Sequence, residues 1–424
     1  MTTPTKITFA SILLSSALSA SPALAQESLK VSTASSMPFV CSMIGLPMPK
    51  GITATQFEAY QAKLIRECEI AEEYRSQSEL ARQNYEMSLT DISSYQALRY
   101  IERSRYDQGR EQNQPVALTY QICYSDYDRP VQEKSSIIWQ NWVNGVSKVE
   151  RESRALRSGA KFKLSDLLKA HAGFYELSDE FCPRTEGAKR TGHNNIPYPG
   201  RLKPSNSYEP DRYWWKFSTD EEAMKAKSAT EQINAFYREL GILGQKYMED
   251  GVGISDVLSV RRLDGQYAIW SGESQANESH LDGLFRLLNS MNAKARRGVH
   301  MVWETASGQK ILMTPVELAL LAQQYMVQIH PFAEGNGRVA RFVQEIVLQS
   351  FDLPHGPSGD LMDDDVLMTH QEYYRLAIKR MGDLLADTDR CLVDVYPAVL
   401  GGGPGVQIRY MDQNRIPYEC RILR

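Results

Sequence analysis

The chain has no Cys-x-x-Cys pair and no cysteine and histidine cluster at zinc spacing, which leaves no structural zinc site to assign. It has no long hydrophobic run. Its most apolar stretch, Ile7 to Ala20, is too short and too rich in serine and alanine to span a bilayer. It has no strong charge of either sign. With 48 basic and 52 acidic residues the net charge is −4, too mild for a polyanion partner, which argues against nucleic acid. No internal repeat stands out. Gly401-Gly402-Gly403-Pro404-Gly405 lacks the Gly-Lys-Ser/Thr ending of a P-loop and reads as a link to the tail.

What is present begins at the N-terminus. Lys6 supplies a positive end, Ile7 to Ala20 an apolar run and Ala23-Leu24-Ala25 a small-residue cleavage site, so residues 1–25 read as a secretory signal peptide. Cleavage after Ala25 leaves a chain expected to be soluble, with no membrane partner, and exported to a periplasm or beyond. Its six cysteines, Cys41, Cys68, Cys123, Cys182, Cys391 and Cys420, are compatible with up to three disulfides in such a compartment. The sequence does not choose among the pairings; Cys391 with Cys420, tying down the tail, is one guess. The length implies two or three domains, and 42% hydrophobic residues is ample for a core.

The chemistry concentrates in His330-Pro331-Phe332-Ala333-Glu334-Gly335-Asn336-Gly337-Arg338-Val339-Ala340-Arg341. Before it, Thr314 and Glu317 form a capping box with Pro315 at the first helical position. Leu318, Leu321, Ala322, Tyr325, Met326 and Ile329 then make one helical stripe. That helix should end near His330, because Pro331 disfavours helical geometry in the residue before it. A second helix is expected after Gly337, burying Val339, Phe342, Val343, Ile346 and Val347. Gly-Asn-Gly thus falls at a helix N-terminus, where unpaired N–H groups favour an anion. Gly335 and Gly337 let the backbone approach a ligand. Arg338 can fork onto phosphate oxygens, Arg341 follows on the same side, and Glu334 offers a hard oxygen to Mg²⁺.

This stretch resembles the signature of the Fic family, H-P-F-x-[D/E]-G-N-G-R-x-x-R, at every fixed position. The resemblance implies a mainly α fold with a small β-hairpin flap, over roughly residues 161–390, preceded by an N-terminal helical region (26–160) and followed by a tail (391–424). It implies transfer of AMP from ATP to a Ser, Thr or Tyr hydroxyl of a target protein, with His330 as general base and Glu334 holding Mg²⁺. Gly335, Asn336 and Gly337 would form the anion hole and Arg338 bind phosphate. Phe332 resembles the buried anchor of the loop, and Arg341 would orient the site. A helix C-terminus favours imidazolium, whereas a base must be neutral; opposing positive charge from Arg338, Arg341 and Mg²⁺ should push the other way.

Elsewhere the signals are plainer. Gln56 to Leu89 reads as one or two long helices, either a substrate-selecting module or a wrapper that completes the core. Lys161 to Leu177 reads as an amphipathic helix similar to the first helix of Fic domains, with His171 as a packing residue. Tyr213-Trp214-Trp215-Lys216-Phe217 reads as core in preference to a surface for a ring-bearing ligand. Two stretches resemble the flap, which takes a target segment by strand addition. Val257 to Trp270, with its Asp264-Gly265 turn, is preferred over Gly187 to Ile196. The family's inhibitory helix pattern has no match, so either the chain is not inhibited in cis or its inhibitor is a divergent segment or a separate partner; a separate activator is the other alternative. Asn277-Glu278-Ser279 is a glycosylation sequon. Two other readings remain: transfer of another phosphate-linked group, phosphocholine or UMP, and a non-catalytic module that docks phosphate or peptide.

Overall fold

The structure, a computed structural model, describes residues 37–85, 148–181, 200–203, 213–248, 251–263, 265–271, 276–332, 336–354 and 366–390. A 3₁₀ turn, Phe39–Met43, precedes α1, Ala54–Tyr85. Then come α2 (148–157), α3 (Leu164–Phe181), β1 (Tyr213–Lys216) and α4 (Asp220–Leu240). Four strands follow: β2 (Gln245–Met248), β3 (Gly251–Ile254), β4 (Leu258–Leu263) and β5 (Gln266–Ser271). Helix α5 (Asn277–Arg296), the pair β6 (Val302–Glu304) and β7 (Lys310–Leu312), α6 (Pro315–Ile329), α7 (Asn336–Ser350) and α8 (His370–Arg390) complete the described chain. The protein is mainly helical with small antiparallel strand pairs, as the sequence implies.

Helix α6 is the axis of the core. The capping box forms as read: the Thr314 hydroxyl accepts from the Glu317 amide, and the Glu317 carboxylate accepts from the Thr314 amide. Another first-turn donor, the Val316 amide, is taken by Glu67 Oε2 from α1 at 3.2 Å. The sequence predicts one buried stripe, yet α6 is buried on every side. Two of its glutamines find backbone acceptors. Gln324 donates to Met368 O and Gln328 to Val366 O, which tie α6 to the chain entering α8.

Helix α7 packs back on α6, with Val339, Phe342, Val343, Ile346 and Val347 buried as expected. Helix α5 covers another side, held close to the segment between α4 and β2 by Gly283. A Cβ there would lie 2.2 Å from the Ile242 carbonyl oxygen. The sequon residue Asn277 is buried in the first turn of α5, so it offers no surface for a glycan.

Gln56 to Leu89, read as one or two helices, forms a single helix of 32 residues up to Tyr85. Its buried positions, Tyr60, Leu64, Glu67, Ile70, Ala71, Tyr74, Gln77 and Ser78, fall at three- and four-residue helical spacing and make one buried seam. Cys41 and Cys68 form a disulfide that fastens the 3₁₀ turn to α1. The guessed pair Cys391–Cys420 lies outside the described residues, as do the signal sequence 1–25 and the tail. Among the described residues, no helix is long and apolar enough to cross a membrane.

The hairpin read at Val257 to Trp270 forms as β4 and β5, with Leu263 opposite Gln266. It belongs to a three-stranded sheet of order β1-β5-β4, so β4 is an outer strand. The aromatic stretch from Tyr213 provides β1, and Phe217 just after it is buried. The alternative, Gly187 to Ile196, lies outside the described residues.

Candidate active site

Helix α6 ends where the proline rule predicts. Ile329 is its last residue, and His330 caps it in a left-handed conformation (φ 49°, ψ 58°). Glycine is the usual occupant of that region, and a histidine held there is strained by an amount on the order of 1 kcal/mol. The His330 amide donates to Met326 O at 3.2 Å, closing the last turn. The next carbonyl, Val327 O, would bond the amide of residue 331, but Pro331 has none. His330 Nδ1 takes it instead at 3.3 Å. This contact puts the ring proton on Nδ1 and leaves Nε2 as the basic nitrogen.

The charge balance at His330 resolves towards neutrality. Burial pushes its pKa down to about 3, helped by the positive charge of Lys203 and opposed by the Val327 carbonyl. The residue as a whole is partly exposed, while its ring is dehydrated. The helix-end preference for imidazolium loses to desolvation, which acts on the whole ring.

Two contacts hold the loop that follows. Phe332 is fully buried and stacks on His171 with ring centroids 4.0 Å apart and planes 8° apart. His171 in turn accepts the Gly200 amide on Nδ1 at 2.9 Å. Its packing role is therefore to support the Phe332 anchor. The Asn336 side chain then clasps the Phe332 backbone from both sides: Oδ1 accepts from the amide at 2.8 Å, and Nδ2 donates to the carbonyl at 2.9 Å. This clasp starts α7 at Asn336, one residue before Gly337. It also commits the Asn336 side chain to the loop, so an anion at this turn would meet backbone donors rather than the amide.

Gly337 lies under Arg341. A Cβ on Gly337 would stand 3.4 Å from Arg341 Nη1, so the guanidinium covers the first turn of α7, next to its positive end. Arg338 stands in that same turn. A helix N-terminus with two arginines in its first turns fits the phosphates of a nucleotide. Glu334 and Gly335 lie outside the described residues. The one His/Cys/Asp/Glu group of metal-binding spacing among the described residues is Cys41, Cys68 and Glu72, whose cysteines are bonded to each other.

Lys203 is the residue that the motif did not reveal. Its amide donates to Pro331 O at 2.9 Å, and the residue is buried. It sits in the proline-containing stretch from Cys182 to Tyr213, where nothing in the local pattern points to His330. Of the two flap candidates, the nearer in sequence to Lys203 is Gly187 to Ile196.

A neutral imidazole at one helix end and a helix N-terminus with arginines at the start of the next are an arrangement suited to the transfer of a phosphate-linked group. Residues 278–348, from the first turn of α5 to near the end of α7, match the model of the Fic/DOC family. That match identifies a Fic/DOC domain within the chain. Searches of curated proteins and of solved structures found no match.

Proposed function

We propose that the protein transfers AMP from ATP to a hydroxyl of a target protein. The observation that carries this reading is His330, held neutral just before the helix whose first turns carry Arg338 and Arg341. In the proposed reaction His330 Nε2 accepts the proton of a Ser, Thr or Tyr hydroxyl. The hydroxyl oxygen attacks the α-phosphorus, a new P–O bond forms, and the bond to the β-phosphate oxygen breaks, releasing pyrophosphate. Arg338 and the backbone donors of the Gly335-Gly337 turn bind phosphate oxygens, and Arg341 holds its charge over Gly337. Mg²⁺ bound through Glu334 would neutralise part of the polyphosphate charge. The chain's own share is positioning and charge, which is most of what phosphoryl transfer asks of a protein.

The target segment is proposed to add as a strand to the outer edge of β4, in the hairpin preferred from the sequence. Export is proposed from the N-terminal signal pattern, and the Cys41–Cys68 disulfide is in keeping with it.

Intact-mass spectrometry tests the reading. Purified protein incubated with ATP and Mg²⁺, alone or with lysate, should yield a polypeptide heavier by one AMP on a hydroxyl residue. The His330→Ala protein should yield none. A gain of phosphate alone would assign a kinase-type reaction, and a gain of phosphocholine from CDP-choline would assign a different donor to the same loop.

A further inference from the structure

The outer strand of the β1-β5-β4 sheet offers backbone groups over a defined length. At its start the edge is closed. Asn234 of α4 donates from Nδ2 to Leu258 O at 2.7 Å, and its Oδ1 accepts the Leu258 amide at 3.4 Å. Both backbone groups of Leu258 therefore face away from β5. In an antiparallel ladder such groups alternate between the partner strand and the free side, so those of Val260 and Arg262 face the same way as those of Leu258. No described residue takes them. The open edge thus runs from Val260 to Arg262.

That open stretch is basic. Arg261 and Arg262 are both exposed, and successive side chains of a strand point to opposite faces, so one guanidinium lies on each face of the sheet. Each is braced. Arg261 lies over the Trp270 ring at 5.5 Å and donates from Nε to Ser259 Oγ at 3.0 Å. Arg262 lies over the Tyr267 ring at 5.7 Å and donates from Nε to Gly265 O at 3.3 Å. Neither is paired with a carboxylate among the described residues; Asp256, just before the strand, is bonded to Arg238 instead. On a chain of net charge −4, two braced cations without a counter-ion beside an open edge call for negative charge on whatever joins it. They also exclude one occupant. A second copy pairing through its own β4 would set arginines against arginines.

We propose that the outer edge of β4 selects an acidic target segment, an extended peptide with carboxylates at two consecutive positions. This rests on the reading that a target strand adds to β4. Residues of the added strand opposite Arg261 and Arg262 are neighbours in its sequence and fall on opposite faces, so each carboxylate meets one guanidinium. The peptide backbone bonds Val260 and Arg262, and Asn234 stops the pairing at Leu258. Arg261 and Arg262 are thus specificity-determining residues, apart from the transfer chemistry at His330.

Fluorescence anisotropy of the full chain without ATP is the test, so a failure of AMP transfer would leave the readout intact. The probes are labelled β-prone peptides, rich in valine and threonine and alike except for two consecutive central residues: Asp-Glu, Asn-Gln or Lys-Lys. The Asp-Glu peptide should bind about threefold to tenfold tighter than the Asn-Gln peptide, and the margin should shrink as salt rises. Arg261→Glu with Arg262→Glu should reverse the order in favour of Lys-Lys. Arg261→Gln with Arg262→Gln, which serves if the first pair fails to fold, should level it. Equal binding of all three peptides, binding of none, or an acidic preference kept in the variants would overturn the proposal. An Asp-Glu peptide N-methylated at alternate residues cannot add as a strand, and it should not bind. If it binds as well as its parent, the strand reading itself falls and the proposal with it.

Discussion

At the scale of the residue, the site depends on a histidine that is both strained and dehydrated. The left-handed backbone at His330 and the proline after it act together, because the missing Pro331 amide frees the carbonyl that orients the ring. Lys203 adds positive charge beside that ring. Lys203→Met should therefore raise the His330 pKa from about 3 towards its ordinary value, and the acid limb of a pH–rate profile should move to higher pH. Lys203→Arg should leave the limb in place. The sign for stability follows from the same depression. The unfolded chain takes up a proton on this histidine below about 6.5 while the folded chain does not, so stability present above that pH is lost as pH falls towards 3. Asn336→Ala breaks both bonds of the clasp on Phe332, and a loss of about 1–3 kcal/mol is expected in chemical denaturation, with activity falling too. The sequence made His330, Asn336, Gly337 and Arg341 legible because base, turn and arginines lie within one stretch. It hid Lys203, which is tied to the loop by a backbone bond to Pro331 from a distant stretch of chain, and it hid the use of the Asn336 side chain.

At the scale of the element, α6 is pinned at its start by α1 and at its end by the His330 cap. Glu67 is the contact that matters most at the start. It is fully buried, accepts from the Val316 amide and the Tyr374 hydroxyl, and lies near Glu317. Burial, with the nearby negative charge of Glu317 adding to it, raises its pKa to about 8 against these hydrogen bonds. Glu67 is thus a group whose folded pKa is raised. Its contribution is complete below the unfolded value of about 4.5 and is lost as pH rises through 8. Glu67→Gln should flatten the fall of Tm between pH 5 and 8, because the amide has no proton to lose. Glu67→Ala should cost about 1–3 kcal/mol at acid pH by leaving two buried donors unpaired, and less as pH rises through 8. The start of α6 was legible through its capping box, and the β4–β5 hairpin through Asp264-Gly265. The full burial of α6 was not, since Gln323, Gln324 and Gln328 look like a solvated face until their partners are known. The seam of α1 was hidden for the same reason, as Glu67 and Ser78 interrupt its apolar pattern.

At the scale of the whole molecule, the N-terminal part of the chain and the Fic domain share one hydrophobic core. Val40, Tyr60 and Leu64 belong to the same buried cluster as Tyr325 and Phe332. The disulfide at Cys41 and Cys68 closes a loop with a sequence separation of 27 and so fastens that region from outside the motif. Cys41→Ser with Cys68→Ser should lower stability by about 3–4 kcal/mol, read as a shift of the denaturation midpoint against the untreated chain. The same shift should follow reduction of the wild type. The central claim is that this fold delivers AMP, and parallel incubations with α-labelled ATP, γ-labelled ATP and labelled CDP-choline, each with Mg²⁺, test it most directly. The account predicts label on protein from the α-phosphate alone, and none in His330→Ala. Label from the γ-phosphate or only from the choline donor, or an undiminished α signal in folded His330→Ala, would contradict it.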